Sequence, residues 1–447
     1  MDLCLKVLLA PAYRSTDFDV HKNWLEITSS RPPHQWYDDV PGQSEWTLDY
    51  PPAFALVEAV LAKIFALTTT NDVLFQRGSV IFLQALTLRP LLSFNAALIM
   101  VDNIHFQYNG FFLGVLAFSL DALDRGNYIL AAFWFSLLLT LKHLFLTLAP
   151  FFTIHILVRY VRGSPRRFAK VAVATLATVC LGLAPTLLPA AVEGVFFDTL
   201  LKLKARLFPF DSRGLVHSYW APNFWALYAF LDRLVLRAAG GGGGGGNVVG
   251  STRGRVDAEA GGMAALPQPT PLVCAILTLI AMAPALAASR AGDPLKAAFH
   301  CALSAFIFGW HVHEKFALVA LLPLAMRIPD RPLCRHFSRL CAFAVLPLMP
   351  QTEFVTAILL IALEEAYHFP LLFNFSFLER LHVSALLALV FLHRLAWPFL
   401  LPAQFAAKFE FLPLMLISVY GALSFAAIWL HSCRSFLLLQ KNILFPS

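Results

Sequence analysis

The hydrophobic positions of this chain fall in long continuous runs, not in strict alternation or one-sided helical stripes. Phe168–Val192, Pro271–Ala288, Thr352–Leu363, Val383–Leu401 and Phe411–Leu430 each carry at most one charged residue. An apolar stretch of roughly 18 residues or more is long enough to cross the hydrocarbon core as a helix, and about ten to twelve segments of that kind are expected. Several are broken by Pro, Gly or Arg, which spanning helices tolerate when neighbouring groups satisfy the freed backbone. A membrane β-barrel would leave short alternating strands instead, and none appear. The pattern predicts an all-α polytopic membrane protein.

Composition agrees. Of 447 residues, 58% are hydrophobic and 14% charged, with mean hydropathy +0.67. A soluble domain carries about a quarter charged residues. The net charge of +7 does not point to nucleic acid, because the excess sits in short loops. One holds Arg159, Arg162, Arg166, Arg167 and Lys170, and another Arg327, Arg331, Arg335 and Arg339. Such clusters beside spanning helices mark the cytoplasmic side. The seven cysteines are scattered without a CxxC pair, so neither a zinc site nor a disulfide framework is indicated.

Five stretches follow. Residues 1–12 form an apolar stub too short to span and without a signal-peptide cleavage pattern; a truncated first transmembrane helix, from a missed start or a missing exon, is expected. Residues 13–52 are polar and acidic, with Trp24, Trp36 and Trp46 suited to the headgroup level. An ordered loop at the membrane surface is expected there. Residues 53–238 hold transmembrane helices, compressed between Arg77 and Asp102, where Arg89-Pro90 interrupts them. Residues 239–268 contain seven consecutive glycines, Gly240–Gly246, and read as a flexible insert. Residues 269–447 are further transmembrane helices. No internal repeat is present. Deleting Gly240–Gly262 is expected to leave activity largely unchanged, which an assay of the shortened chain checks; total loss would reveal a role for the insert.

Candidate chemistry begins at Thr16-Asp17-Phe18-Asp19-Val20-His21-Lys22-Asn23-Trp24. A carboxylate at the mouth of a membrane segment can take the proton of an attacking sugar hydroxyl. A solvated acidic loop with aromatic anchors has the same composition, and the residues alone leave both open. His105 and His143 flank apolar runs, where a lone histidine is more often packed than catalytic. Arg206 at a helix end can snorkel. Lys142-His143 lies within an apolar segment, which implies a cavity or partner. His311-Val312-His313-Glu314 lacks the HExxH spacing, and on a helix its histidines would occupy different faces, so no metal site is expected.

Thr16–Trp24 followed by Ser44-Glu45-Trp46-Thr47-Leu48-Asp49-Tyr50-Pro51-Pro52 resembles the first luminal loop of the dolichyl-phosphate-glucose-dependent α-1,3-glucosyltransferases. Further segments agree in family order: Val101–Gly110; Arg206–Phe210 with Arg213-Gly214-Leu215 and Trp220–Trp225; and Phe308–Lys315. The resemblance covers most of the chain outside the glycine insert. It implies a GT-C-type helical bundle with a luminal acidic first loop, in the endoplasmic-reticulum membrane. It also implies a dolichyl phosphate glucose donor, a lipid-linked oligosaccharide acceptor, contact with membrane lipid, and no cofactor. Of the two enzymes sharing this plan, the one adding the second glucose is more similar, through Ser44–Pro52, His217–Asn223 and Trp310–His313. By analogy Asp17 is the general base, with Asp19 and Asp49 as alternatives. His311, His313, Lys315, Arg206 and Arg213 are donor-phosphate candidates, with Lys142 and His143 behind them. Trp24, Trp46, His105 and Gln107 are substrate-binding candidates.

The rival readings are the first-glucose enzyme, a related GT-C mannosyltransferase, a transporter or scramblase, and a catalytically silent scaffold. A transporter would favour inverted repeats and matched broken helices, and neither is visible.

Overall fold

The structure is a computed structural model. It describes residues 2–39, 46–68, 71–88, 92, 94–210, 214–216, 219–239, 263, 265–328, 332–368 and 377–444. Arg89-Pro90, Arg213, His217, the glycine run and the sequon Asn374-Phe375-Ser376 lie outside these residues. Among the described residues the fold is helices and connecting turns, without a β-strand. It divides into two compact units, Met1–Pro209 with Asp293–Leu295, and Phe210–Gly292 with Lys296–Ser447.

The first unit contains α1 (Asp2–Leu8), α2 (Thr16–Ser30), α3 (Pro52–Leu67), α4 (Asp72–Thr87), α5 (Ala96–Phe106), α6 (Asn109–Asp124), α7 (Tyr128–Leu141), α8 (His143–Val161), α9 (Pro165–Val192) and α10 (Phe196–Leu207). Their starts are written locally. Asn71, Asn95, Asn127 and Ser164 cap α4, α5, α7 and α9, each accepting a backbone N–H of the first turn. Pro52 and Pro165 begin their helices, where a missing N–H costs nothing. The expected surface loop, 13–52, carries the four-turn helix α2. Ser15 caps it, Asp17 and Asp19 meet its positive end, and Leu25 packs on Leu61 and Ala62 of α3. That apolar face, diluted by acids in the sequence, is what turns the segment into a helix.

Among the described residues, five helices are long and apolar enough to cross a membrane: His143–Val161, Pro165–Val192, Pro271–Arg290, Glu379–Leu400 and Leu412–Lys441. Ala96–Phe106, Tyr128–Leu141 and Pro294–Phe308 are shorter apolar helices. Thr352–Leu363, expected among the spans, lies across a short turn and the 15-residue helix Phe354–His368. Proline, glycine and charge cut the apolar runs into more and shorter pieces than a count by hydropathy implies. At 28 residues α9 is about 42 Å long, against roughly 30 Å of hydrocarbon. Its Val173, Leu176, Leu181, Leu188 and Val192 are exposed, as a lipid-facing helix requires. Its inner face meets α7 closely: a Cβ on Gly182 would lie 2.5 Å from the Thr140 side chain.

In the second unit Phe306, Phe337 and Phe425 form the aromatic centre, with ring centroids 4.9 and 5.4 Å apart. Buried and half-buried polar groups there pair with one another: Arg339 with Glu365, Ser338 with Glu364 at 2.6 Å, and His300 with Ser432 at 3.0 Å.

Candidate active site

The site of the first unit is built where α2 begins and α5 ends. The Ser15 hydroxyl donates to the His105 carbonyl at 2.6 Å, and the Ser15 N–H donates to the same oxygen at 2.9 Å. Ser15 Oγ in turn accepts the Asp17 N–H at 3.3 Å. One residue therefore caps α2 and fastens it to α5. Asp17 Oδ2 accepts a hydrogen bond from Gln107 Nε2 at 2.5 Å and lies 3.6 Å from His105 Nε2. The Asp17 side chain is 36% exposed and that of His105 18%, so the carboxylate is held from one side and open on another.

Gln107 reaches Asp17 because the chain reverses at Phe106, whose φ of +81° lies in the left-handed region. Such a conformation costs of order 1–3 kcal/mol and needs support. Arg77 of α4 supplies it. This buried guanidinium donates to the carbonyls of Asn103 (2.7 Å), Ile104 (2.9 Å) and Tyr13 (2.7 Å), and sits 5.5 Å from the Phe106 ring centre. It ties the approach to α2 and the last turn of α5 to one point. That turn is a π-type segment, Met100–Phe106, a geometry frequent at functional sites.

Behind Gln107 is a buried hub. Asp102 Oδ1 accepts the Asn109 N–H at 3.0 Å and Asn109 Nδ2 at 2.9 Å, while Oδ2 accepts the Gly110 N–H at 2.6 Å and Gln84 Nε2 at 2.6 Å. Asn109 Nδ2 also donates to Gln107 Oε1 at 2.7 Å. Beneath lies an aromatic floor. His21 pairs with Glu58 at 2.7 Å, and its ring is surrounded by Trp24, Tyr50, Phe54, Phe106 and Tyr108.

The other expected site residues are placed as follows. Trp24 is buried, donating from Nε1 to the Thr47 carbonyl at 3.2 Å, so its indole packs beneath the Trp46–Tyr50 strand of loop. Asn23 Nδ2 donates to the Trp46 carbonyl at 2.6 Å, and the Trp46 ring is half-buried. Asp19 is exposed and Asp49 half-buried. Tyr37 donates to the Tyr50 carbonyl at 2.7 Å; burial, helped by the nearby Asp49 charge, pushes its phenol well up and keeps that proton in place. Arg206 of α10 donates to Thr47 Oγ1 at 3.0 Å and pairs with Asp39, and Lys202 pairs with Asp38 at 2.9 Å. The α10 cations thus hold the acidic loop. Hydrogen bonds that Lys202 donates to Asp198 and Asp38 raise the pKa of its ammonium further, so the clasp keeps its charge at neutral pH.

In the second unit His311 and His313 lie in a turn, not on a helix, with ring centres 5.3 Å apart and nearly perpendicular. His311 has φ +50° and donates from its backbone N–H to the Leu215 carbonyl at 3.1 Å and from Nδ1 to the Gly214 carbonyl at 2.7 Å. Lys315 follows in the short turn Glu314–Phe316 and is half-buried. The Trp225 indole donates to the Gly309 carbonyl at 2.9 Å and braces this turn.

Sequence reasoning quoted Asp102 and Asn109 as part of a motif without seeing a hub, and missed Ser15, Arg77, Gln84 and the His21–Glu58 pair. A usable signal existed for Arg77 and Asp102: an ionisable residue inside an apolar run needs a reason.

A polytopic α-helical membrane protein presenting a half-exposed carboxylate, braced by amides and by a second acid, has the equipment of a membrane-embedded transferase. The chain belongs to the ALG6, ALG8 glycosyltransferase family, which it matches over residues 2–432. It is similar to the Drosophila melanogaster protein named "Probable dolichyl pyrophosphate Glc1Man9GlcNAc2 alpha-1,3-glucosyltransferase", at 38% identity over 96% of this chain and 92% of that one. The Bos taurus dolichyl pyrophosphate Glc1Man9GlcNAc2 alpha-1,3-glucosyltransferase is 34% identical over 95% and 92% of the two chains, and that of Arabidopsis thaliana 31% over 97% and 96%.

Proposed function

We propose that this enzyme moves glucose from dolichyl phosphate glucose to the terminal glucose of Glc1Man9GlcNAc2 carried on dolichyl pyrophosphate. The new bond is an α-1,3 link, made in the endoplasmic-reticulum membrane with the acidic segment on the luminal side. The names of its relatives specify the Glc1 acceptor, which favours the second-glucose step over the first. The observation that carries the mechanism is the placement of Asp17, fixed through Oδ2 by Gln107 while still reachable.

A β-linked donor and an α-linked product imply one in-line displacement. Asp17 takes the proton of the acceptor 3-hydroxyl as that oxygen attacks the anomeric carbon, and the bond to the phosphate oxygen breaks on the opposite face. The departing dolichyl phosphate gains negative charge, so donors and cations that meet it in the transition state lower the barrier. His311, His313 and Lys315 are the residues proposed for that role, with Arg213 of the Arg213-Gly214-Leu215 motif as a further candidate. Arg206, engaged with Thr47 and Asp39, is proposed instead to hold the loop.

Loss of the gene tests the step directly. Monoglucosylated Glc1Man9GlcNAc2 lipid-linked oligosaccharide should accumulate in the depleted cells. Accumulation of the unglucosylated precursor would assign the first-glucose step instead, and an unchanged precursor profile would reject the proposal. Transfer of labelled glucose from dolichyl phosphate glucose to purified acceptor, compared with dolichyl phosphate mannose, settles the donor.

A further inference from the structure

Lys142 stands at the end of α7, buried, with Nζ 4.9 and 4.8 Å from the ring centres of Tyr50 and Phe112. Nζ donates to Asn109 Oδ1 at 3.4 Å. Asn109 Nδ2 donates to Gln107 Oε1 at 2.7 Å, and Gln107 Nε2 donates to Asp17 Oδ2 at 2.5 Å. A side-chain amide can be turned end for end at little cost, and a chain of two amides could run in either direction. An ammonium group has only donors, so Asn109 must present its oxygen to Lys142. The Asp102 carboxylate only accepts, which requires Asn109 Nδ2 on the other side. With Asn109 fixed, Gln107 must turn its oxygen inward and its N–H toward Asp17.

We propose that Lys142 is a positioning residue that, together with Asp102, sets the direction of a Lys142–Asn109–Gln107–Asp17 relay, so that the base receives a donor on Oδ2. This rests on the reading of Asp17 as the base. A donated hydrogen bond favours the ionised carboxyl, and fixing Oδ2 turns the other oxygen, Oδ1, to the acceptor hydroxyl. Without Lys142 the Asp102 carboxylate alone holds Asn109 in this direction, so the flipped arrangement, where Gln107 offers Asp17 an oxygen, becomes more populated. That arrangement favours protonated Asp17, which is inactive as a base. The titratable and charged groups on the elements packed around Asp17 are Asp102 and His105 of α5, Glu58 and Lys63 of α3, Asp72 and Arg77 of α4, and Asp19, His21, Lys22 and Glu26 of α2 itself.

The test uses the full-length enzyme in lipid nanodiscs, with kcat and KM followed against pH. Lys142→Met should move the acid limb of kcat up by about one pH unit, lowering kcat by up to about 10-fold on that limb, and leave both KM values within about 2-fold. Lys142→Arg, which keeps a donor-only cation, should restore the limb. Gln107→Met should shift it similarly, and adding Lys142→Met to Gln107→Met should shift it no further. The cycle repeated in His105→Asn removes that imidazole's own titration from the limb. An unmoved limb in Lys142→Met, or fully additive shifts in the double variant, overturns the relay. Where Lys142→Met is not recovered as folded protein, Asn109→Leu cuts the chain one link later, and an unmoved limb there overturns it equally. Asp17→Asn is assayed in parallel: normal turnover in that variant rejects the base itself, whereas an inactive Asp17→Asn beside a normal Lys142→Met rejects the relay alone.

Discussion

Asp17→Asn is expected to lower glucose transfer by about 10²- to 10⁴-fold, the usual worth of a positioned general base, with membrane insertion and abundance unchanged. The substitution is close to isosteric. Its amide oxygen can still accept from Gln107 Nε2, and the backbone N–H that Ser15 caps is untouched. What disappears is the ability to take a proton. The loss should therefore fall on kcat, with KM for donor and acceptor little altered. Asp19→Asn is the natural comparison. Asp19 is exposed, and two helical positions away it faces a different direction from Asp17, so that variant should keep most of its activity. Turnover of purified protein with labelled donor measures both. Near-normal rates in Asp17→Asn, or a collapse in Asp19→Asn with Asp17→Asn spared, would remove Asp17 from its assigned role.

Much of this arrangement was legible in the residues, and the rest was hidden for physical reasons. Long apolar runs announce a membrane protein because lipid admits only satisfied backbone and apolar side chains. The acidic motif was visible as Asp17 and Asp19, and the resemblance ranked Asp17 first, but the residues alone did not show the helix that puts one on Gln107 and the other in solvent. That helix was obscured because α2 is a surface helix with a mixed sequence, stabilised by Ser15 and by its packing on α3 more than by a hydrophobic stripe. Arg206 is a donor-phosphate candidate through the resemblance, and the sequence does not show what holds it in the structure. Its partners, Asp39 and Thr47, lie more than 150 positions away in the chain, and no local pattern encodes that distance. Lys142 was noticed for the cost of burying it, yet its partner Asn109 could not be named before α6 and α7 were seen side by side. The reversal at Phe106 leaves no mark in the sequence, since a left-handed phenylalanine is held by its surroundings and not by its own preference.

The hub at Asp102 gives the largest expected effect on stability. Its two oxygens accept four hydrogen bonds, two each, from Asn109 N–H, Asn109 Nδ2, Gly110 N–H and Gln84 Nε2. Four accepted bonds use all the lone-pair sites of a carboxylate. Asp102→Asn preserves volume and shape but turns one oxygen into an NH₂ group. Whichever way the amide is set, it then points two hydrogens at two other donors. Two buried donors lose their partner, at about 1–3 kcal/mol each, so the variant should lose about 2–6 kcal/mol. The apparent melting temperature in nanodiscs should fall by roughly 5–15 °C. Catalysis should suffer as well, because Asn109 orients Gln107 and Gln107 holds Asp17. An isosteric swap at a fully buried position would be mild if only packing mattered. A melting temperature within one or two degrees of the parent, with turnover intact, would mean that Asp102 does not organise these four donors. A large drop rescued by no neighbouring substitution except one that also removes the Gln84 amide would place the cost at the donors facing the new NH₂.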